Sequence, residues 1–421
     1  MHKKTSLPSG LRLITKKLEG TKAVTVLVLV GAGSRYETKD INGISHFLEH
    51  MFFKGAKKYE NTKAVSSAID SIGGDFNAFT AKEYAGYYVK VSSDHLDTAM
   101  DVLSDMLLNA KFDQAEIDKE RGVILEEYNM YQDTPMYQIG WDFENLIFGD
   151  QPLGWDQIGT KELIQTVTQQ QFFDYKNALY TPDNTVICIA GNIDHDEAVA
   201  KAELYFPMQS NKQSLQFLAF DHTKATKNIR VKNKKTEQAH LVIGFPSVAY
   251  KSEMEWESKI LATLLGGNMS SRMFLNVREA QGLCYYVRTE TDEFSDIGTF
   301  STRAGVDVNR IQDAIQAITN EYGNIFKNKP DEEEIARAKS YLKGKIVLRL
   351  EDSEEYAHML ARQELLESNI ETPEEIISKI DSIDQKRLLK FAEQYLVSKN
   401  LYMSVIGPYA NEDELSNLLN F

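Results

Sequence analysis

The densest group of chemically able residues in the sequence is His46-Phe47-Leu48-Glu49-His50. On a helix turning about 100° per residue, Ile44, Phe47, Leu48, Met51 and Phe52 form one apolar stripe. His46, Glu49, His50 and Phe53 then share the opposite face. Two imidazoles one turn apart are close enough to bind a single zinc ion. Glu49 points beside them, where it suits a metal-held water better than the metal itself. The competing reading is a solvated helix face that happens to carry these polar residues. Asn42 is placed to cap this helix and Gly55 to stop it after Lys54.

A hydrolytic zinc site needs a third protein ligand and an open fourth position. The segment from Asp113 offers one, starting with a capping-box-like Asp113 and Glu116. Ile117, Glu120, Ile124, Glu127 and Tyr131 follow along one helical stripe, so two carboxylates seven residues apart interrupt an apolar face. An unpaired buried carboxylate is costly, and such groups require a metal, a metal-bound histidine or a basic side chain from a neighbouring helix. Glu126 lies about 100° away from that stripe, which separates it from Glu127.

The elements that must hold these residues follow from hydrophobic periodicity. Leu11 to Ile14 and Ala23 to Val30 read as strands, the second rich enough in β-branched residues and leucine to be covered on both faces. Gly31-Ala32-Gly33-Ser34-Arg35-Tyr36 lacks the last glycine of a dinucleotide fingerprint and reads as a strand-ending turn. Helices are expected at 42–54, 62–72, 96–108, 113–132, 135–148 and 161–178. A strand-like stretch at 76–91 follows the Gly73-Gly74 break, and a further strand is expected at 185–190. The second half repeats the style, with a strand at 240–245 and helices at 253–264, 270–280, 309–326, 331–350 and 354–367. Tyr180 to Val186 before a strand ending at Gly191 is echoed by Tyr395 to Tyr402 before one ending at Gly407. A duplicated α+β unit explains the echo, with domains at 1–215 and 235–421 and a polar linker at 208–238.

Composition limits the remaining possibilities. The 421 residues carry 47 Lys+Arg against 62 Asp+Glu, a net charge of −15, with 42% hydrophobic residues. That is an ordinary globular composition without the basic footprint of a nucleic-acid binder, while an acidic cleft for cationic ligands stays compatible with it. The longest apolar run, Ala23 to Ala32, is well short of the roughly 20 residues needed to span a bilayer. No secretory signal is visible at the start. Cys188 and Cys284 read as reduced core residues. The expectation is a cytoplasmic protein with no membrane and no nucleic-acid partner.

His-x-x-Glu-His followed by Glu127 within Glu120-Arg121-Gly122-Val123-Ile124-Leu125-Glu126-Glu127 resembles the inverzincin peptidases, the family of pitrilysin, insulin-degrading enzyme and the mitochondrial processing peptidase. Gly33-Ser34-Arg35, Gly73 to Ala78 and Tyr180 to Asn184 fall in family order, and Ser271 to Glu279 leading to Gly282-Leu283-Cys284-Tyr285 resembles the second-domain motif. The resemblance implies two homologous domains, each a mostly antiparallel sheet covered by helices. It implies one zinc ion held by His46, His50 and Glu127, with Glu49 as general base and Glu120 supporting a histidine ligand. It further implies that Asn77 and Ala78 align substrate backbone by strand addition, and that Arg278 and Tyr285 bind substrate carbonyls and the oxyanion. Both motifs sit in one chain, which implies a homodimer acting on peptides inside a chamber. The alternatives are a processing peptidase for basic presequence-like peptides and a non-catalytic subunit of the same fold. A two-histidine, one-glutamate site also accepts manganese or cobalt.

Overall fold

A computed structural model describes residues 2–209, 215–225, 227–410 and 412–421. The chain forms two compact units that interleave in sequence. Met1–Asn129, Asp156–Leu218 and Val347–Thr372 build the first; Met130–Trp155, Ala219–Ile346 and Pro373–Phe421 build the second. Domains expected at 1–215 and 235–421 follow chain order, whereas the compact units exchange one segment each. The expected linker at 208–238 includes residues 210–214 and 226, which lie outside the described residues. Part of it, Ile229–Asn233, is a strand of the second sheet.

In the first unit, β1 (Lys3–Ser6), β2 (Arg12–Lys17), β3 (Ala23–Val30), β4 (Asp75–Thr80), β5 (Ala85–Ser92) and β6 (Thr185–Gly191) form one sheet in the order β1-β2-β6-β3-β5-β4. Neighbours are antiparallel except β2 and β6. Side chains alternate faces along a strand. On one face of β3, Leu27 and Leu29 pack against Tyr356, Ala357, Leu360 and Ala361 of the helix Ser353–Glu367. Thr25 Oγ1 meets Ser353 Oγ at 2.8 Å on that same face. Val24, Val26 and Val28 on the other face are equally buried, so the strand is covered on both sides as its composition requires.

The stretch at 76–91 is two strands rather than one. β4 and β5 form a hairpin closed by the Ala81 N–H donating to the Tyr84 carbonyl at 2.8 Å. Gly33 sits against this turn at φ +144°, where a Cβ would lie 2.3 Å from the Ala81 carbonyl oxygen. The glycine-rich end of β3 therefore seats the hairpin, and β4 is left at the sheet edge.

In the second unit, β7 (Ile229–Asn233), β8 (Gln238–Ser247), β9 (Cys284–Glu293), β10 (Gly298–Asp307) and β11 (Tyr402–Gly407) run in the order β7-β11-β8-β10-β9. This repeats β2-β6-β3-β5-β4 strand for strand, including the single parallel pair, β7 with β11. The helix Pro135–Phe148 covers this sheet through Ile139, Phe143 and Ile147, packed with Val242 and Ile406. The fold is thus a duplicated α+β unit, with each sheet covered by a helix from the other half of the sequence.

Two helices differ in detail from expectation. The segment 161–178 breaks into Lys161–Thr166 and Gln169–Leu179 because Thr168 and Gln171 form a capping box that starts a new helix. The segment 270–280 winds as a π-helix over Phe274–Glu279. Cys188 and Cys284 are free and buried. Among the described residues, no helix is long and apolar enough to cross a membrane.

Candidate active site

The helix Ile44–Phe52 buries Ile44, Phe47, Leu48, Met51 and Phe52 and leaves His46, Glu49 and His50 on its partly open face. Its start departs from expectation. Asn42 is not the cap; Gly43 is, at φ +105°, with Gly159 so close that a Cβ would meet its Cα at 2.7 Å. The orphan N–H groups at this end are satisfied instead by the buried carboxylate of Glu37. It accepts from Gly43 N (2.7 Å), Ser45 N (2.9 Å), the Ser45 hydroxyl and Asn42 Nδ2 (2.9 Å). Burial pushes the Glu37 carboxyl up, and these bonds oppose that shift. A negative group here also suits the positive end of the helix dipole. The helix ends at Phe52 with Phe53 as its cap, two residues before the expected end at Lys54, and the chain turns at Gly55, φ +143°.

The helix Gln114–Asp133 brings Glu120 and Glu127 to the same face of the first unit. His46 Nε2 lies 3.6 Å from Glu127 Oε1, and His50 Nε2 lies 3.5 Å from Glu127 Oε2. The ligand atoms of His46, His50 and Glu127 all fall within 4.8 Å of one another. Around tetrahedral zinc, ligand bonds of about 2.0–2.1 Å place neighbouring ligand atoms roughly 3.3 Å apart. The two imidazole–carboxylate separations are close to that spacing, and the donor set is one zinc favours, so these residues fit a zinc ion. Glu126, by contrast, is exposed.

Neighbouring charged groups orient these side chains and shift their proton affinities. Glu120, 4% exposed, accepts from His50 Nδ1 at 2.9 Å through Oε1 and from Lys54 Nζ at 2.6 Å through Oε2. Fixing one ring nitrogen leaves the other, Nε2, to face Glu127. Burial would lower the His50 imidazole, but Glu120 and Glu127 together push it up to about 9. Glu127 is held well below the usual carboxylate range by His46 and His50. Burial alone would raise Glu120, yet His50 and Lys54 bring it down. Glu49 accepts a hydrogen bond from the Thr80 hydroxyl at 2.6 Å.

Asn77 and Ala78 lie on β4, whose outer side has no strand partner among the described residues. Asn77 is exposed, and its Oδ1 accepts from the Ala78 N–H at 2.9 Å. Arg278 and Tyr285 belong to the second unit. The Arg278 guanidinium stacks 4.5 Å over the Phe274 ring on the π-helical turn, and Tyr285, at the start of edge strand β9, is 75% exposed rather than a core residue. Sequence reasoning missed Lys54, Thr80 and Glu37. Lys54 had a usable signal, lying four residues after His50 and so on the same helical side; Thr80 and Glu37 reach the site through tertiary contacts alone.

Residues 12–146 match a model described as insulinase (peptidase family M16), and residues 166–342 match the peptidase M16 inactive domain. An uncharacterized zinc protease of Bacillus subtilis, YmxG, is 34% identical over 414 residues, covering 98% of this chain and 99% of its own length. An uncharacterized zinc protease of Streptomyces coelicolor is 35% identical over 412 residues, covering 96% of this chain and 89% of its own. Among solved structures, a protease from Helicobacter pylori superposes with a TM-score of 0.90 at 21% identity, covering 97% of this chain and 99% of that one, a likeness of fold.

Proposed function

The chain belongs to the insulinase (M16) family of zinc proteases, and on that premise we propose that it is an endopeptidase whose zinc is held by His46, His50 and Glu127. The observation that carries this reading is the convergence of Glu127, from the helix Gln114–Asp133, on His46 and His50, which share a helix face with Glu49. Zinc, when bound there, supplies Lewis acidity that makes water a better nucleophile and polarises the scissile carbonyl. Glu49 takes one proton from the attacking water as its oxygen bonds to the carbonyl carbon. It then delivers that proton to the amide nitrogen as the C–N bond breaks, leaving a carboxylic acid and an amine. Glu120 orients His50, and Lys54 in turn holds Glu120.

The half at 1–215 is the catalytic domain in this reading, and the half at 235–421 contributes Arg278 and Tyr285 to bind substrate carbonyls and stabilise the oxyanion. Asn77 and Ala78 receive the peptide as an added strand on β4. One chain holds both motifs, which supports a homodimer enclosing a chamber, with one zinc per chain. Light scattering tests the dimer against the 47.8 kDa monomer mass. The net charge of −15 favours basic peptides, which keeps a selective processing peptidase as the second reading. Cleavage-site mapping on a mixed peptide library separates the two.

The deciding variant is Glu49→Gln. It should keep its zinc and lose hydrolysis by about 10²- to 10⁴-fold, the range for a general base. Wild-type turnover in that variant would overturn the assignment.

A further inference from the structure

The Thr80 hydroxyl is the group that fixes the Glu49 carboxylate. It donates to Oε2 at 2.6 Å, a length typical of a hydroxyl bound to an ionised carboxylate. A hydroxyl has one proton to give, so the 3.5 Å approach of Thr80 Oγ1 to the Ser45 carbonyl is secondary. With Oε2 engaged, Oε1 is the oxygen left to receive a proton. A glutamate side chain that is not held loses rotamer freedom when it is ordered; here that ordering is built in before substrate arrives.

The location of Thr80 gives this bond a second meaning. Thr80 ends β4, the edge strand that carries Asn77 and Ala78 and whose outer side meets no strand among the described residues. Phe76, on the same face of β4 as Thr80 by the alternation of strand side chains, packs its ring 5.8 Å from Phe53, the residue that follows and caps the histidine-bearing helix. The edge strand is therefore tied to that helix at two points, an aromatic contact at one end and the Thr80–Glu49 bond at the other. We infer that Thr80 is a positioning residue for the general base, and that the strand which docks the peptide is also the support that aims Glu49. The inference rests on the zinc-peptidase reading for the role of Glu49, but the hold itself is a property of this chain.

The test uses the zinc-loaded full chain with Thr80→Val, which keeps the branched shape and removes the donor, and Thr80→Ser, which keeps the donor. Thr80→Val should retain full zinc and a near-unchanged KM, while kcat falls about 10- to 100-fold, as when an outer-shell partner is removed. Thr80→Ser should restore most of the loss. Crystals of Thr80→Val should show the Glu49 carboxylate displaced from its wild-type position. The inference is overturned if Glu49 stays in place without the hydroxyl, if KM rises while kcat is intact, or if Ser fails as badly as Val. Full turnover in Glu49→Gln would sink the base assignment on its own, and the crystallographic arm would still judge whether Thr80 fixes the carboxylate.

Discussion

The helices Ile44–Phe52 and Glu255–Gly266 occupy the same slot in the two units. Each follows the central strand of its sheet, β3 or β8, and precedes the edge strand, β4 or β9. Their chemistry is opposite. The first keeps two imidazoles and a carboxylate on a partly open face. The second is buried over most of its length, and its acid Glu257, 2% exposed, is bound by Arg387 through Nε and Nη2, both at 2.7 Å. A later pair of equivalent helices diverges in the same way. Glu120 on Gln114–Asp133 serves His50, whereas Glu334 on Glu332–Arg349 is bound bidentately by Arg272 at 2.8 and 2.7 Å. Duplication preserved the sheet and its order. In these two pairs of helices, the acid of the first unit faces an imidazole and the acid of the second faces a guanidinium.

That contrast can be broken at several points, ordered here by their expected effect on the zinc site. His50→Ala should lose metal and activity together, because two of three ligands do not retain a hydrolytic zinc; metal analysis after dialysis reads the loss. Glu120→Gln should lower zinc affinity by about 10- to 100-fold, measured by competition with a chelator of known affinity. The pH effect is next. In the metal-free protein Glu120 and Glu127 push His50 up to about 9, above its ordinary 6.5 and against the lowering effect of burial, so zinc is expected to expel a proton on binding. Apparent affinity should fall about tenfold per pH unit from pH 8 to 6.5, with proton release visible by calorimetry in buffers of different ionisation enthalpy. By the same sign, the His50 pairing stabilises the metal-free fold fully below pH 6.5 and is lost as pH rises through about 9. The smallest effect on zinc belongs to the second unit. Arg387→Met strands the buried Glu257 and should destabilise the protein by about 2 kcal/mol, less than a fully buried pair because the arginine is half exposed. Zinc content should stay at the wild-type level; a loss of zinc in that variant would erase the distinction between the two helices.

Much of this was legible in the sequence, for identifiable reasons. The 3.6-residue period places His46, Glu49 and His50 on one face and puts Glu127 rather than Glu126 with Glu120, because helical phase is a local property. The strand equivalence behind the duplication showed only at the ends of the halves. The apolar signal of β9 and β10 is diluted by buried Thr289, Thr299, Ser301 and Thr302, and the Thr302 hydroxyl meets Thr289 at 2.8 Å and Tyr322 at 2.6 Å. The helix exchange was invisible because an apolar stripe on Pro135–Phe148 or Ser353–Glu367 says that a sheet must cover it, not which sheet. Asn42 looked like a cap because nothing local reveals that Glu37 supplies that role through the fold. Thr80 was missed for the same reason: its partner Glu49 is 31 residues away in sequence.

The central claim is that one face of the first unit binds zinc and its counterpart in the second does not. Anomalous diffraction at the zinc absorption edge, on crystals of the zinc-loaded protein, tests it directly. A single peak per chain, bounded by His46, His50 and Glu127, is the expected result. A peak elsewhere with that position empty, or a second peak beside Glu255–Gly266, would contradict it.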